Sequence, residues 1–138
     1  MNVKFIDTSV MLNLLEVPGR CADVEEVQEQ LKKSLADKDT LVMPIATIIE
    51  TGNHIAHIGD GNIRRKIASK FGGYLRKTAE EEAPWQLYGV SMDKEELLYL
   101  SMHIEEFATR KMGIGDMSII YAYERYKNEM PAIGSIMI

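Results

Sequence analysis

Short runs of β-branched and apolar residues alternate along this chain with longer stretches of helical periodicity, and that alternation limits the fold more than any other feature of the sequence. Val3-Lys4-Phe5-Ile6 reads as a strand, then polar Asp7-Thr8-Ser9 intervenes before apolar residues resume at helical spacing at Val10, Met11, Leu14 and Leu15. Pro18-Gly19 breaks the chain. From Ala22 to Leu35 the apolar positions Val24, Val27, Leu31 and Leu35 recur every three or four residues among charges, which predicts a helix with that stripe turned inward. Leu41 to Ala46 reads as a second buried strand, with Pro44 near its end because proline cannot donate to a sheet ladder.

A helix is expected from about Thr47, and another, basic one from Ile63 to about Lys77, which the Gly72-Gly73 pair would split in two. Glu80 to Pro84 is a loop, and Trp85 to Val90 has strand composition. Asp93 followed by Glu96 fits a capping box, and Leu97, Leu100, Ile104 and Phe107 then mark a buried helix face. Gly113-Ile114-Gly115-Asp116 punctuates the next connection, a helix runs from Met117 to about Asn128, and Ile133 to Ile138 closes the chain as an apolar strand. Strands separated by helices need crossover connections, so the expected class is α/β, with a parallel sheet covered on both faces. At 138 residues this is one domain spanning 1–138.

The charge balance excludes some functions. A net charge of −5 argues against coating nucleic acid through bulk electrostatics. The distribution says more than the sum, since Gly61 to Ala79 holds no acid but carries Arg64, Arg65, Lys66, Lys70, Arg76 and Lys77. This stripe, with Phe71 and Tyr74 interleaved, suits an RNA backbone and its unpaired bases, and equally suits a solvated helix face. The single cysteine, Cys21, rules out an internal disulfide and a cysteine-based zinc cluster, and its expected state is a half-buried apolar residue. Nine methionines, among them Met11, Met43, Met102 and Met117, read as flexible core filler. No signal-peptide pattern or membrane-length apolar run occurs, so the expectation is a cytoplasmic protein without a membrane partner.

Three acids stand where such a fold would gather a ligand. In open α/β sheets the residues beyond the carboxyl ends of the strands converge although they are distant in sequence. Asp7 follows the first strand, Glu50 is expected in the first turn of the helix after the second strand, and Asp116 opens a later helix. Singly, Asp7 or Asp116 also suits a helix cap, and Glu50 a solvated helix position. Together, three carboxylates repel one another unless a cation sits among them, and oxygen ligands without cysteine select magnesium or manganese. The chemistry that such a centre serves is phosphodiester hydrolysis. His54 and His57 fall on the same helix face as Glu50 and are read as neutral or substrate-facing, with Asn53 beside them.

The segments Phe5-Ile6-Asp7-Thr8-Ser9-Val10, Pro44 to Thr51 and Gly115 to Ala122 together resemble, in order and spacing, the PIN domain family of small metal-dependent ribonucleases, which includes toxins of bacterial toxin–antitoxin pairs. The resemblance implies a three-layer α/β/α sandwich with a central parallel sheet and an acidic pocket for Mg2+ or Mn2+. Asp7, Glu50 and Asp116 match the family's first three acids, as catalytic and metal-binding residues, and Thr8, Ser9 and Ser118 match hydroxyl positions that support the metal. It further implies single-stranded RNA as substrate, met by Arg64, Arg65, Lys66 and Lys70. Its implied protein partners are an antitoxin and a second copy of the chain.

The sequence departs from the family in one respect. A fourth acid usually follows the strand after the Asp116 helix, and here the chain ends with that strand. The protein is cut short there, is a natural fragment or works with three acids; losing the fourth also suits a non-catalytic PIN-like binding or regulatory module. Glu124 and Glu129 lie on or after the Asp116 helix and are expected to point away. A phosphatase of the haloacid dehalogenase type would need a second aspartate where Ser9 stands.

Overall fold

Strand β1 (Val3–Ile6) lies inside a four-stranded sheet of order β3-β2-β1-β4, in which every neighbouring pair runs parallel. The computed structural model describes residues 2–89, 93–129 and 134–137. Along the chain, α1 (Thr8–Leu14) and α2 (Val24–Ala36) precede β2 (Thr40–Pro44), and α3 (Ile45–Ala56) and α4 (Gly61–Ala79) precede β3 (Gln86–Tyr88). Helices α5 (Lys94–Thr109) and α6 (Ile114–Glu129) then carry the chain back across the sheet to β4 (Gly134–Met137). The α/β class and the parallel sheet agree with the sequence reading. Val90, Ile133 and Ile138, assigned to strands from sequence, lie outside the described residues.

Period-two alternation sorts the strand residues between two cores. Ile6, Leu41 and Met43 face one side, where they meet Val10, Met11 and Leu14 of α1, Val27 of α2, Ile55 of α3, and Ile67 and Phe71 of α4. Val3, Phe5 and Val42 face the other side, against Ala122, Tyr123 and Tyr126 of α6 and Tyr88 of β3. Phe5 is the hub there. Its ring meets those of Tyr88, Tyr123 and Tyr126 edge-on at centroid distances of 6.1, 5.5 and 5.4 Å, the arrangement that aromatic quadrupoles favour.

Lys4 breaks the apolar pattern of β1 with a built explanation. Its Nζ donates to Ser34 Oγ at 3.0 Å and pairs with Asp39 Oδ2 at 3.2 Å, and Asp39 also accepts from the Asn2 backbone N–H at 2.8 Å. The Asn2 bond, reinforced by Lys4, holds the Asp39 carboxyl below the ordinary aspartate value. Serving Lys4 puts fully buried Ser34 on the inner side of α2 and leaves Leu35, expected inward, 45% exposed.

Three other expectations are corrected. Gly72-Gly73 does not break α4, because Ile67 and Phe71 anchor the helix in the core and Trp85 Nε1 donates to Thr78 Oγ1 in its last turn. Leu97 and Ile104 are exposed, because α5 packs mainly on α6 and buries only the narrow face around Leu100. Met102 is also exposed, while Met11, Met43 and Met117 are core residues as expected. Among the described residues, no helix is long and apolar enough to cross a membrane.

The two glycines yield a direct test. A Cβ at Gly72 or Gly73 would meet nothing within 4 Å, so each residue costs the helix its backbone entropy without relieving any crowding. Gly72→Ala and Gly73→Ala should each raise unfolding stability by about 0.5–1 kcal/mol in urea titrations.

Candidate metal centre at the carboxyl edge of the sheet

Chain order turns back at β1. The first crossovers build outward from β1 through β2 to β3, and the last returns to add β4 on the other side, so the crevice at the carboxyl end of β1 is the place where such sheets take ligands. Asp7 stands at that end as the N-cap of α1, its Oδ1 accepting from the Val10 backbone N–H at 3.2 Å and from Ser9 Oγ at 2.8 Å. Among the described residues no hydrogen bond falls on its Oδ2.

Pro44 ends β2 and α3 begins at once, two residues earlier than the sequence suggested. Glu50 therefore sits in the second turn rather than the first. Thr47 fixes the helix against β1 by donating its buried hydroxyl to the Ile6 carbonyl at 2.8 Å, next to Asp7. Glu50 lies one turn beyond Thr47, where its carboxylate lies directly over Gly115 of α6; a Cβ at position 115 would overlap Glu50 Oε1 and Cδ.

This close approach brings two of the three acids together. Burial first, and the Asp116 charge second, push the Glu50 carboxyl above its ordinary value. Asp116 is exposed in the first turn of α6, which starts at Ile114 and so absorbs part of the expected turn. Asp7 shares the same edge but contributes nothing to the Glu50 shift, and among the described residues no three His, Cys, Asp or Glu side chains form a ready-made ion cage.

The predicted hydroxyls take distinct places. Ser9 orients Asp7. Among the described residues Thr8 Oγ1 is buried with no hydrogen-bond partner, as is Thr51 Oγ1 next to Glu50. Ser118 donates to Glu96 Oε2 across a long 3.4 Å, and burial raises the Glu96 carboxyl while that hydroxyl pulls it down. In the capping box that the sequence suggested, only the Asp93 half is seen, its Oδ1 accepting from the Glu96 N–H at 2.9 Å.

The basic stripe is a different surface. Arg64 donates to the Ile58 carbonyl at 2.7 Å and Lys70 to the Leu14 carbonyl at 3.3 Å, so both satisfy carbonyls at or just beyond the ends of α3 and α1. Arg65 and Lys66 are exposed. Phe71 is 6% exposed and Tyr74 packs edge-on against Trp85 at 5.7 Å, so Phe71 belongs to the core and is not a stacking platform.

An open cleft of about 690 Å³ runs between α3 and α6 beside Glu50. Asn53, His54 and His57 continue the Glu50 face along α3, Ile114 and Ser118 line the α6 side, and Arg20 enters from the α1–α2 connection. The histidines and Asn53 were marked in the sequence by their spacing from Glu50. Arg20 was not, although the Pro18-Gly19 pair next to it is a turn signal. No protein-family model matches the chain, and no curated protein matches it.

The Glu50 shift fixes a pH dependence. A carboxyl raised above its ordinary value of 4.5 favours the fold while protonated, so its contribution is whole below that value and is lost as pH rises through the folded pKa. Metal-free Glu50→Gln should melt above the parent at pH 7, and the gap should close near about pH 4. Thermal melts in EDTA across that range check both the sign and the window.

Proposed function

We propose that the chain is an endoribonuclease of the PIN kind that hydrolyses single-stranded RNA with the help of Mg2+ or Mn2+. The observation that carries this reading is the Glu50 carboxylate held against Gly115 and within the field of Asp116, at the same sheet edge as Asp7. A fold does not gain stability by pressing one acid toward another, and a divalent cation offsets that cost. The donor set fits such an ion, being oxygen throughout with no cysteine beside it.

In this reading Glu50 and Asp116 would hold the cation, and Asp7 would join through its Oδ2, which accepts no hydrogen bond among the described residues. Ser9 fixes the Asp7 carboxylate by its 2.8 Å bond to Oδ1. Thr8, with an unpartnered hydroxyl, and Ser118 support the same ligand sphere. Bound there, the cation supplies neutralisation of phosphodiester charge and activation of water. A toxin role, an antitoxin partner and pairing of two copies come with the same family resemblance and depend on it.

Asp116→Asn should abolish manganese-dependent cleavage of single-stranded RNA, by at least roughly 100-fold, since even lost supporting groups around a metal cost up to that much. Its fold should be intact, because Asp116 is exposed. Cleavage at the parental rate by this variant would defeat the assignment.

A second reading, a non-catalytic binding module on the same fold, draws on one specific observation. Asp7 already has employment as a helix cap, which alone accounts for an acid at that position. Manganese titration followed by thermal melting separates the two readings. The nuclease should gain several degrees, and the gain should vanish in Glu50→Gln, whereas a module without a metal site should gain nothing.

A further inference from the structure

The cleft between α3 and α6 combines features that the acids alone do not require. Ile49 and Ile114 are 59% and 46% exposed, and both line it, one from each helix. Large apolar side chains opened to solvent on facing walls are a binding surface rather than a core. Asn53 stands one turn along from Ile49 with its amide exposed, and no hydrogen bond engages that amide among the described residues.

Arg20 brings the opposite charge to the same cleft. Its backbone N–H donates to the Val17 carbonyl at 2.9 Å, Gly19 at φ +79° occupies the left-handed corner after Pro18, and Val17 is buried. That is a type II turn pinned to the core, so Arg20 is presented by fixed backbone. Among the described residues its guanidinium has no ion pair. An acid, apolar side chains from two helices, an exposed amide and a cation without an ion pair among the described residues line one cleft, and this set matches a nucleotide unit, which needs its phosphate met, its base sandwiched and its edge hydrogen-bonded.

We propose that this cleft is a specificity subsite for one unpaired nucleotide of an RNA strand next to the scissile phosphate, its base between Ile49 and Ile114, its edge read by Asn53 and its phosphate held by Arg20. The inference takes its ligand class from the nuclease reading but is tested without cleavage. An acidic protein segment is the competing occupant, and it would use Arg20 without needing the two isoleucines or Asn53.

The experiment measures anisotropy of labelled single-stranded RNA hexamers of the four homopolymer sequences with the full chain in EDTA. Ile49→Ser and Ile114→Ser should each weaken the preferred hexamer roughly ten-fold, as expected for losing one buried aliphatic contact. Asn53→Ala should level the differences among the four sequences. Arg20→Gln should reduce the dependence of log affinity on log salt by about 0.7, the signature of one lost phosphate contact. All four residues are exposed or line the open cleft, so the variants should melt with the parent.

Absence of hexamer binding, equal binding by the parent and both isoleucine variants, or equally effective displacement by poly-glutamate would overturn the subsite. Binding that depends on these residues in a protein that cleaves nothing with manganese would sink the nuclease reading and leave the subsite standing. Cleavage with a silent cleft would do the reverse.

Discussion

The missing side chain at position 115 leaves the space beside α6 that the Glu50 carboxylate occupies, and the geometry of the acidic edge follows from that contact. With any Cβ there, the Glu50 carboxylate would have to leave the space that it occupies over the first turn of α6. Two other contacts hold the helices in place around this gap. Thr47 ties α3 to the last carbonyl of β1, and the edge-on rings of Phe5, Tyr123 and Tyr126 hold α6 over the opposite face of the same strand. β1 is therefore the common reference for Asp7, Glu50 and Asp116, although these residues are far apart in sequence. Packing around one short strand brings Glu50 and Asp116 within each other's field.

Electrostatic cost and packing pull in opposite directions at this edge. Burial alone disfavours the charged form of Glu50, and Asp116 adds to the penalty. The fold tolerates this because the surrounding anchors are strong: Ile6, Met11 and Met117 are fully buried, and Thr47 and Thr51 sit in the interior of α3. His54, at the next turn from Glu50, has its imidazole pushed below the usual value by burial, with Arg20 and His57 adding to the effect. The cleft thus holds the Glu50 carboxyl, the Arg20 cation and an imidazole that burial biases toward its neutral form.

Much of the fold could be read from periodicity because the elements are amphipathic in the simplest sense. The strand of Val3 to Ile6 and the helix after Asp93 fell where the pattern put them, whereas the second strand, expected over Leu41 to Ala46, ends at Pro44 and gives Ile45 and Ala46 to α3. The misreadings have specific physical causes. Leu35 and Ser34 exchanged roles because a polar partner for Lys4 outweighed one more buried leucine. Gly72 and Gly73 stayed helical because Ile67 and Phe71 fasten the helix around them, and tertiary packing overrides a propensity cost of about 1 kcal/mol per glycine. Leu97 and Ile104 have helical spacing on a helix that packs mainly on α6, so spacing could not say which of them would be covered.

For the candidate site, the acids, the hydroxyls and the histidine spacing are legible from the chain because each depends on a residue and its immediate neighbours. Residue identity also fixes the donor chemistry, since oxygen ligands without cysteine favour the same ions wherever they meet. Which acids come within each other's field is different. Glu50 and Asp116 do so and Asp7 stays a helix cap at the end of β1, because that outcome depends on where α3 and α6 pack and on the room that Gly115 leaves for the Glu50 carboxylate. Arg20 likewise belongs to the cleft only because a turn anchored by Val17 faces α3. Local periodicity decides the elements; distances between side chains on different elements depend on packing, which no single stretch of sequence contains.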